Sequence, residues 1–161
     1  CDLLFDYYLA LPESFRRRYP LVLIGKAVML TPEDPTIRVI GDANESLKIS
    51  AMTGATVLIM PSRHESLNMS ILQSWLCGAP VLVNGHCKAL KNQCQRSHGG
   101  LWFENQREFT KLVYYFTDDK NQKMRSQLGR QGQGYVRQNY DWAVIEKRYL
   151  NLIKTVCGSN R

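Results

Sequence analysis

Short apolar runs recur along the chain, separated by segments of helical period. The runs are LVLI (21–24), IRVI (37–40), TVLIM (56–60), VLV (81–83) and LWF (101–103). They are short and rich in β-branched or aromatic types, the signature of parallel strands buried on both faces. Helical patterns fill the gaps. CDLLFDYYLAL opens the chain, NESLKISAM follows a capping Asn44, SILQSWLCG ends on Gly78 as a C′ glycine, and NQREFTKLVYYFTDD begins at a capping Asn105. After residue 118 the strands cease. KNQKMRSQLGRQGQGYVRQNY and DWAVIEKRYLNLIKTV read as two or three further helices, with Asp141 as N-cap of the last. Strand and helix in alternation predict an α/β fold, a Rossmann-like doubly wound parallel sheet with helices on both faces. Without a Pro-, Gly- or Ser-rich linker or an internal repeat, residues 1–161 read as a single domain, of which 119–161 are C-terminal helices.

In such sheets ligands bind beyond the carboxyl ends of the strands. PSRHESLNMSILQSW (61–75) occupies that place after the third run, and the helix that follows starts near Ser66 or Asn68. The first turn of a helix offers unpaired N–H groups and a partial positive charge, so an anion is the expected occupant. Glu65 has two readings: compensation of the helix dipole, or acceptance of hydrogen bonds from a ligand's hydroxyls. Gln73, two helical turns on, returns beside the same cleft, but alone it is an ordinary helix-surface residue. His64 reads as structural rather than as a phosphate contact.

Composition narrows the chemistry. The 161 residues are 44% hydrophobic and 22% charged, enough for one hydrophobic core, and no apolar stretch is long enough to span a bilayer, so the chain reads as soluble. Five cysteines form no CxxC pair and leave one over, which points to reduced thiols and a cytoplasmic location. The net charge of +7 fits an anionic partner without choosing among nucleic acid, nucleotide phosphate and membrane; Arg16-Arg17-Arg18 and the basic residues after 120 read as solvated helix faces. No HxxxH, HExxH or Cys/His spacing suggests a metal site, and there is no Walker loop or G-x-S-x-G elbow. Gly129-Arg-Gln-Gly132-Gln-Gly134 follows no strand and runs opposite to the dinucleotide fingerprint, so it is discounted as a phosphate loop. Two N-glycosylation sequons, at Asn44 and Asn68, read as incidental.

The ordered set Pro61-Ser62-x-x-Glu65, a small polar loop, an apolar helix and Cys77-Gly78-Ala79-Pro80-Val81 resembles the carboxyl-terminal domain of the GT-B glycosyltransferases of family 4. The likeness runs from the D-L-L helix at residue 2 through Gly41-Asp42-Ala43-Asn44 and SAMTGATV to Asn139-Tyr140-Asp141-Trp142, nearly the whole chain in order. It implies that Glu65, matching the first Glu of an E-x7-E motif, holds a donor-sugar hydroxyl and supports positive charge at the anomeric carbon. The amides of Ser66, Leu67 and Asn68 match the loop that takes the sugar and distal phosphate. Gln73 stands where the second Glu holds the ribose; an amide can bond hydroxyls there but lacks a carboxylate's charge-assisted pull. Ala43 and Lys48 match positions near the base and ribose, Lys48 equally well as a solvated helix residue.

The resemblance therefore implies the donor-binding domain of a retaining, metal-independent transferase that needs no cofactor and moves a sugar from a nucleoside diphosphate sugar to a glycan or lipid-linked acceptor. Family members precede the D-L-L helix with a strand, a loop whose Arg and Lys clamp the diphosphate, and a Rossmann-like acceptor domain. These residues then correspond to roughly the second half of such an enzyme, with the domain's first strand missing, and alone would bind donor weakly and transfer little. Peripheral contact with a membrane is left open. The rival readings are a catalytically inactive nucleotide-sugar-binding or scaffolding module, a nucleic-acid-binding domain resting on charge alone, and, by fold analogy only, a sugar-nucleotide epimerase.

Overall fold

The computed structural model describes residues 2–26 and 29–158; Cys1, which entered the cysteine count and the first helical pattern, lies outside the described residues. Every predicted strand is present: β1 (Leu21–Ile24), β2 (Ile37–Ile40), β3 (Leu58–Met60), β4 (Val81–Asn84) and β5 (Gly100–Phe103). β3 begins two residues later than its apolar run. The predicted helices are α1 (Asp2–Leu9), α3 (Glu45–Gly54), α4 (Met69–Leu76), α6 (Gln106–Thr117), α7 (Gln122–Tyr140) and α8 (Trp142–Gly158). Their caps behave as read. Asn44, Asn68 and Asn105 accept the N–H groups of Leu47, Ile71 and Glu108, Asp141 accepts that of Ala143, and Gly78 after α4 has φ +78°.

Two helices lie outside the prediction. α2 (Glu13–Arg18) is a short turn behind Pro12, masked by its basic run. α5 (Lys88–Ser97) buries Leu90 and Cys94 but also Gln93 and Ser97, so its inward face carries no apolar stripe for periodicity to detect.

The strands form two parallel sheets, β1–β2 and β3–β4–β5, where a single sheet was expected. β4 shows why its run is wholly apolar. Val81 and Val83 enter one core with Ile71, Leu72, Trp75 and Leu90, whereas Leu82 enters another with Leu4, Tyr8, Phe103, Phe109 and Phe116. Helices thus cover both faces of the three-stranded sheet, α1 and α6 on one and α4, α5 and α7 on the other. The β1–β2 sheet joins the first core through Leu21 and Ile37, while Val22 and Val39 stay exposed.

Polar contacts hold α2 to the start of the smaller sheet. Arg16 reaches Asp34 at 2.5 Å and the Thr36 hydroxyl at 3.1 Å. Tyr8 Oη accepts the Leu21 N–H at 3.0 Å and lies within donating distance of the Thr36 carbonyl, 3.1 Å. The basic triplet therefore does not form one solvated patch: Arg16 turns inward, and Arg17 pairs with Glu13 on its own helix.

The glycine-rich segment of α7 is a packing surface. A Cβ at Gly129 would sit 1.8 Å from the Gly78 carbonyl oxygen, and one at Gly132 would sit 2.2 Å from the Trp75 ring. α7 consequently lies against α4 more closely than side chains would permit. α8, by contrast, touches the rest of the protein mainly through α7, and its Trp142, Tyr149, Leu152, Ile153 and Val156 are exposed, Trp142 by 79%. Among the described residues no helix is long and apolar enough to cross a membrane.

Two measurements check this packing. In a helix interior Gly→Ala ordinarily gains about 1 kcal/mol, and at Gly134 nothing lies within 4 Å of the new Cβ. Gly134→Ala should raise the melting temperature, whereas Gly129→Ala, which meets fixed backbone, should lower it by an overpacking cost of about 1–3 kcal/mol. Asp34 supplies the second. The Thr36 hydroxyl, and next the Arg16 guanidinium, hold its carboxyl down at about 2 against the usual 3.8. A carboxylate depressed on folding stabilises the fold above its unfolded pKa and loses that effect as pH falls through the folded one. The melting-temperature gap between wild type and Asp34→Asn should be constant above about pH 4 and shrink as pH falls towards 2.

Candidate functional site

The carboxyl ends of β3, β4 and β5 share one rim, because the strands are parallel and in register from Leu58↔Val81 and Val81↔Gly100 onward. Polar contacts stitch the segments leaving that rim. The Gly85 N–H donates to the Phe103 carbonyl at 2.8 Å, and His86 Nε2 lies 2.8 Å from the Glu104 carbonyl oxygen. Lys91 bonds the Glu104 carboxylate at 2.8 Å and holds that carboxyl below its ordinary value. On the other side, Asn84 Nδ2 donates to the Pro61 carbonyl at 3.0 Å, and the buried Cys87 thiol lies 4.0 Å from the Glu65 carbonyl.

The 61–68 loop crosses this rim from β3 into α4. Asn68 caps α4 by accepting the Ile71 N–H and donates weakly to the Met60 sulfur at 3.5 Å. That leaves a run of backbone amides, those of Ser66, Leu67, Asn68, Met69 and Ser70, without a protein acceptor among the described residues. Ser66, Leu67 and Met69 are exposed. Beside this run Glu65 is half-buried, and its carboxylate makes no hydrogen bond or ion pair among the described residues. The dipole-compensating reading of Glu65 requires no partner.

α4 itself is held by its buried face. Ile71 and Trp75 are fully buried, and Trp75 Nε1 donates to the Gly99 carbonyl at 2.8 Å. Gln73 falls on the opposite, half-exposed face with Met69, and its side chain is unpaired among the described residues. No hydrogen bond joins it to Glu65. Ala43 lies in the turn between β2 and α3, bonded through its N–H to the Gly41 carbonyl, and Lys48 sits in α3 with its ammonium 3.8 Å from Glu45. α3 packs on α4, but neither Ala43 nor Lys48 contacts the 61–68 loop through a hydrogen bond.

The chain matches no family model and no curated protein.

Two grooves on the surface lie elsewhere. One of about 620 Å³ runs between Phe15, Arg18, Tyr19, Tyr114 and Asp118, and one of about 480 Å³ between Trp102, Glu104, Glu108 and Lys111. Neither includes a residue of the 61–73 segment. Among the described residues no three His, Cys, Asp or Glu side chains converge to hold a metal ion, and Cys77, Cys87, Cys94 and Cys157 are free thiols. Burial pushes the Cys94 thiol up to about 12, which keeps it protonated and inert near neutrality.

Sequence reasoning missed Asn84, Cys87 and the His86–Glu104–Lys91 group. Only Asn84 left a signal, a polar residue closing an otherwise unbroken apolar run. Because Glu65 has no partner to lose, Glu65→Gln should leave thermal stability within about 0.5 kcal/mol of wild type, as differential scanning calorimetry would register. A larger loss would place the carboxylate in the structural network.

Proposed function

We propose that the chain is the donor-binding domain of a retaining glycosyltransferase that moves a sugar from a nucleoside diphosphate sugar to a glycan or lipid-linked acceptor. The observation that carries this reading is the juxtaposition of an unengaged Glu65 carboxylate with the unpartnered amides of Ser66 to Ser70 at the mouth of β3. The first accepts hydrogen bonds from sugar hydroxyls; the second, with the α4 N-terminus, stabilises the negative charge that collects on a departing diphosphate. Few ligands other than a phosphorylated sugar offer both kinds of group side by side. Glu65 steers the sugar, and Gln73 meets the nucleoside with an amide that accepts from one hydroxyl and donates to another.

The resemblance to GT-B enzymes also accounts for two features of the fold. Among the described residues β1 pairs only with β2 and β3 only with β4, yet Leu21, Ile37, Val57 and Ile59 pack on one shared core. In this reading the two sheets are parts of one doubly wound sheet whose missing first strand belongs between β1 and β3. The exposed apolar face of α8 fits packing against an acceptor domain.

Gln73 favours a second reading. Replacement of a ribose-holding carboxylate by an amide weakens the grip on the nucleoside, as in a binding or scaffolding module that has lost transfer. If full-length protein transfers sugar only as Gln73→Glu, that second reading holds.

The primary reading is tested on the full-length protein with a panel of nucleoside diphosphate sugars. A ligand at a hundred times its dissociation constant stabilises by about 2.7 kcal/mol, a shift of several degrees. Glu65→Ala should reduce turnover by orders of magnitude with the fold intact; unchanged turnover would reject its role.

A further inference from the structure

β4 runs Val81, Leu82, Val83 with no exposure and then ends in Asn84, exposed by only 1%. A buried amide is costly unless both of its ends are satisfied. Both are: Nδ2 donates to the Pro61 carbonyl at 3.0 Å, and Oδ1 accepts the His86 N–H at 3.0 Å. The β3–β4 ladder pairs Met60 with Val83, so Pro61 comes level with Asn84. By donating to the carbonyl of the first residue past β3, the Asn84 side chain ties the exit of β3 to the exit of β4.

We propose that Asn84 is a positioning residue for Glu65, setting the Pro61–Glu65 segment through its brace between the β3 and β4 exits. The turn it organises meets that segment at both ends. Asn84 holds Pro61, and Cys87, whose own N–H donates to the Asn84 carbonyl at 3.1 Å, places its thiol 4.0 Å from the Glu65 carbonyl. Between those points the one hydrogen bond the segment makes among the described residues is internal, from Ser62 Oγ to the His64 carbonyl at 3.2 Å. Loss of the Asn84 amide leaves the Pro61 carbonyl and the His86 N–H without partners and frees the near end of the segment, while the β3–β4–β5 ladder and the Asn68 cap of α4 remain. The consequence is selective: the carboxylate shifts relative to the α4 amides, and displacement of a reacting group by about 1 Å is enough to cost two orders of magnitude in rate.

This inference rests on Glu65 as the sugar-holding group, so the experiment separates the two. Affinities of the full-length protein are measured for UDP and UDP-glucose, and for GDP and GDP-mannose. The ratio between each sugar nucleotide and its sugar-free diphosphate reports the Glu65 contact. For the pair that binds, Glu65→Ala should abolish the sugar-dependent gain. Asn84→Ala should reduce that gain about tenfold or more, keep the diphosphate affinity near wild type, and add nothing in the double variant. Asn84→Ser serves where the alanine variant fails to fold, since its shorter hydroxyl can still accept the His86 N–H but does not span to the Pro61 carbonyl; it should lose the gain likewise. If Glu65→Ala loses the gain and the Asn84 variants keep it, or if they lower sugar-nucleotide and diphosphate affinity equally, Asn84 is structural only and the inference is overturned. A wild type with no gain for either pair overturns the reading of Glu65, and the inference falls with it.

Discussion

The Trp75 indole, fully buried, fixes the helix on which the candidate site depends. It lies against Gly132 on one side and Gly99 on another, where an added Cβ would come within 2.2 and 2.6 Å of the ring, and its N–H is tied to the Gly99 carbonyl at 2.8 Å. Gly129 adds backbone contact with the Gly78 carbonyl. A large flat side chain pressed between glycines leaves few ways to shift, because protein interiors pack too densely to absorb displacement. α4 is thereby locked to α7 and to the start of β5, and its amino-terminal turn is held at the rim of the sheet.

From that fixed helix the polarity of the rim follows. Asn68 consumes one amide of the first turn, and the amides ahead of it stay open. Neighbouring polar groups are spoken for: Asn84 by Pro61 and His86, Glu104 by Lys91, and Glu108 by Asn105 and the Glu104 N–H. Unengaged among the described residues are the Glu65 carboxylate and, next to it, a run of amide donors. A carboxylate and an anion site would repel a simple anion in common; they suit a molecule that presents hydroxyls to one and phosphate to the other. The proposed transferase role is the chemical reading of that pairing.

Much of this was legible in the chain because it is written in local signals. Runs such as VLV and LWF are wholly apolar since each strand feeds two cores, and Asn44, Asn68 and Asn105 announce helix starts through the hydrogen bonds they make. α5 escaped because Gln93 and Ser97 share its buried face with Leu90 and Cys94, which erases the periodic stripe. α2 escaped because its basic triplet looked solvated, although Arg16 serves a distant Asp34. The division into two sheets was invisible because strand runs specify burial and not which edges pair. Glu65 could be singled out from its place after a strand, but that its carboxylate is free, and that Asn84 and Cys87 steady its loop, depends on contacts between residues far apart in sequence.

The most direct test of the central claim is a two-dimensional amide NMR titration of the protein with UDP-glucose and GDP-mannose. The account predicts that the largest shifts fall on the amides of Ser66 to Ser70, with those of the neighbouring Glu65 and His86 segments next. Shifts concentrated in the groove of Phe15 and Tyr114, on the basic residues of α7, or nowhere would contradict it.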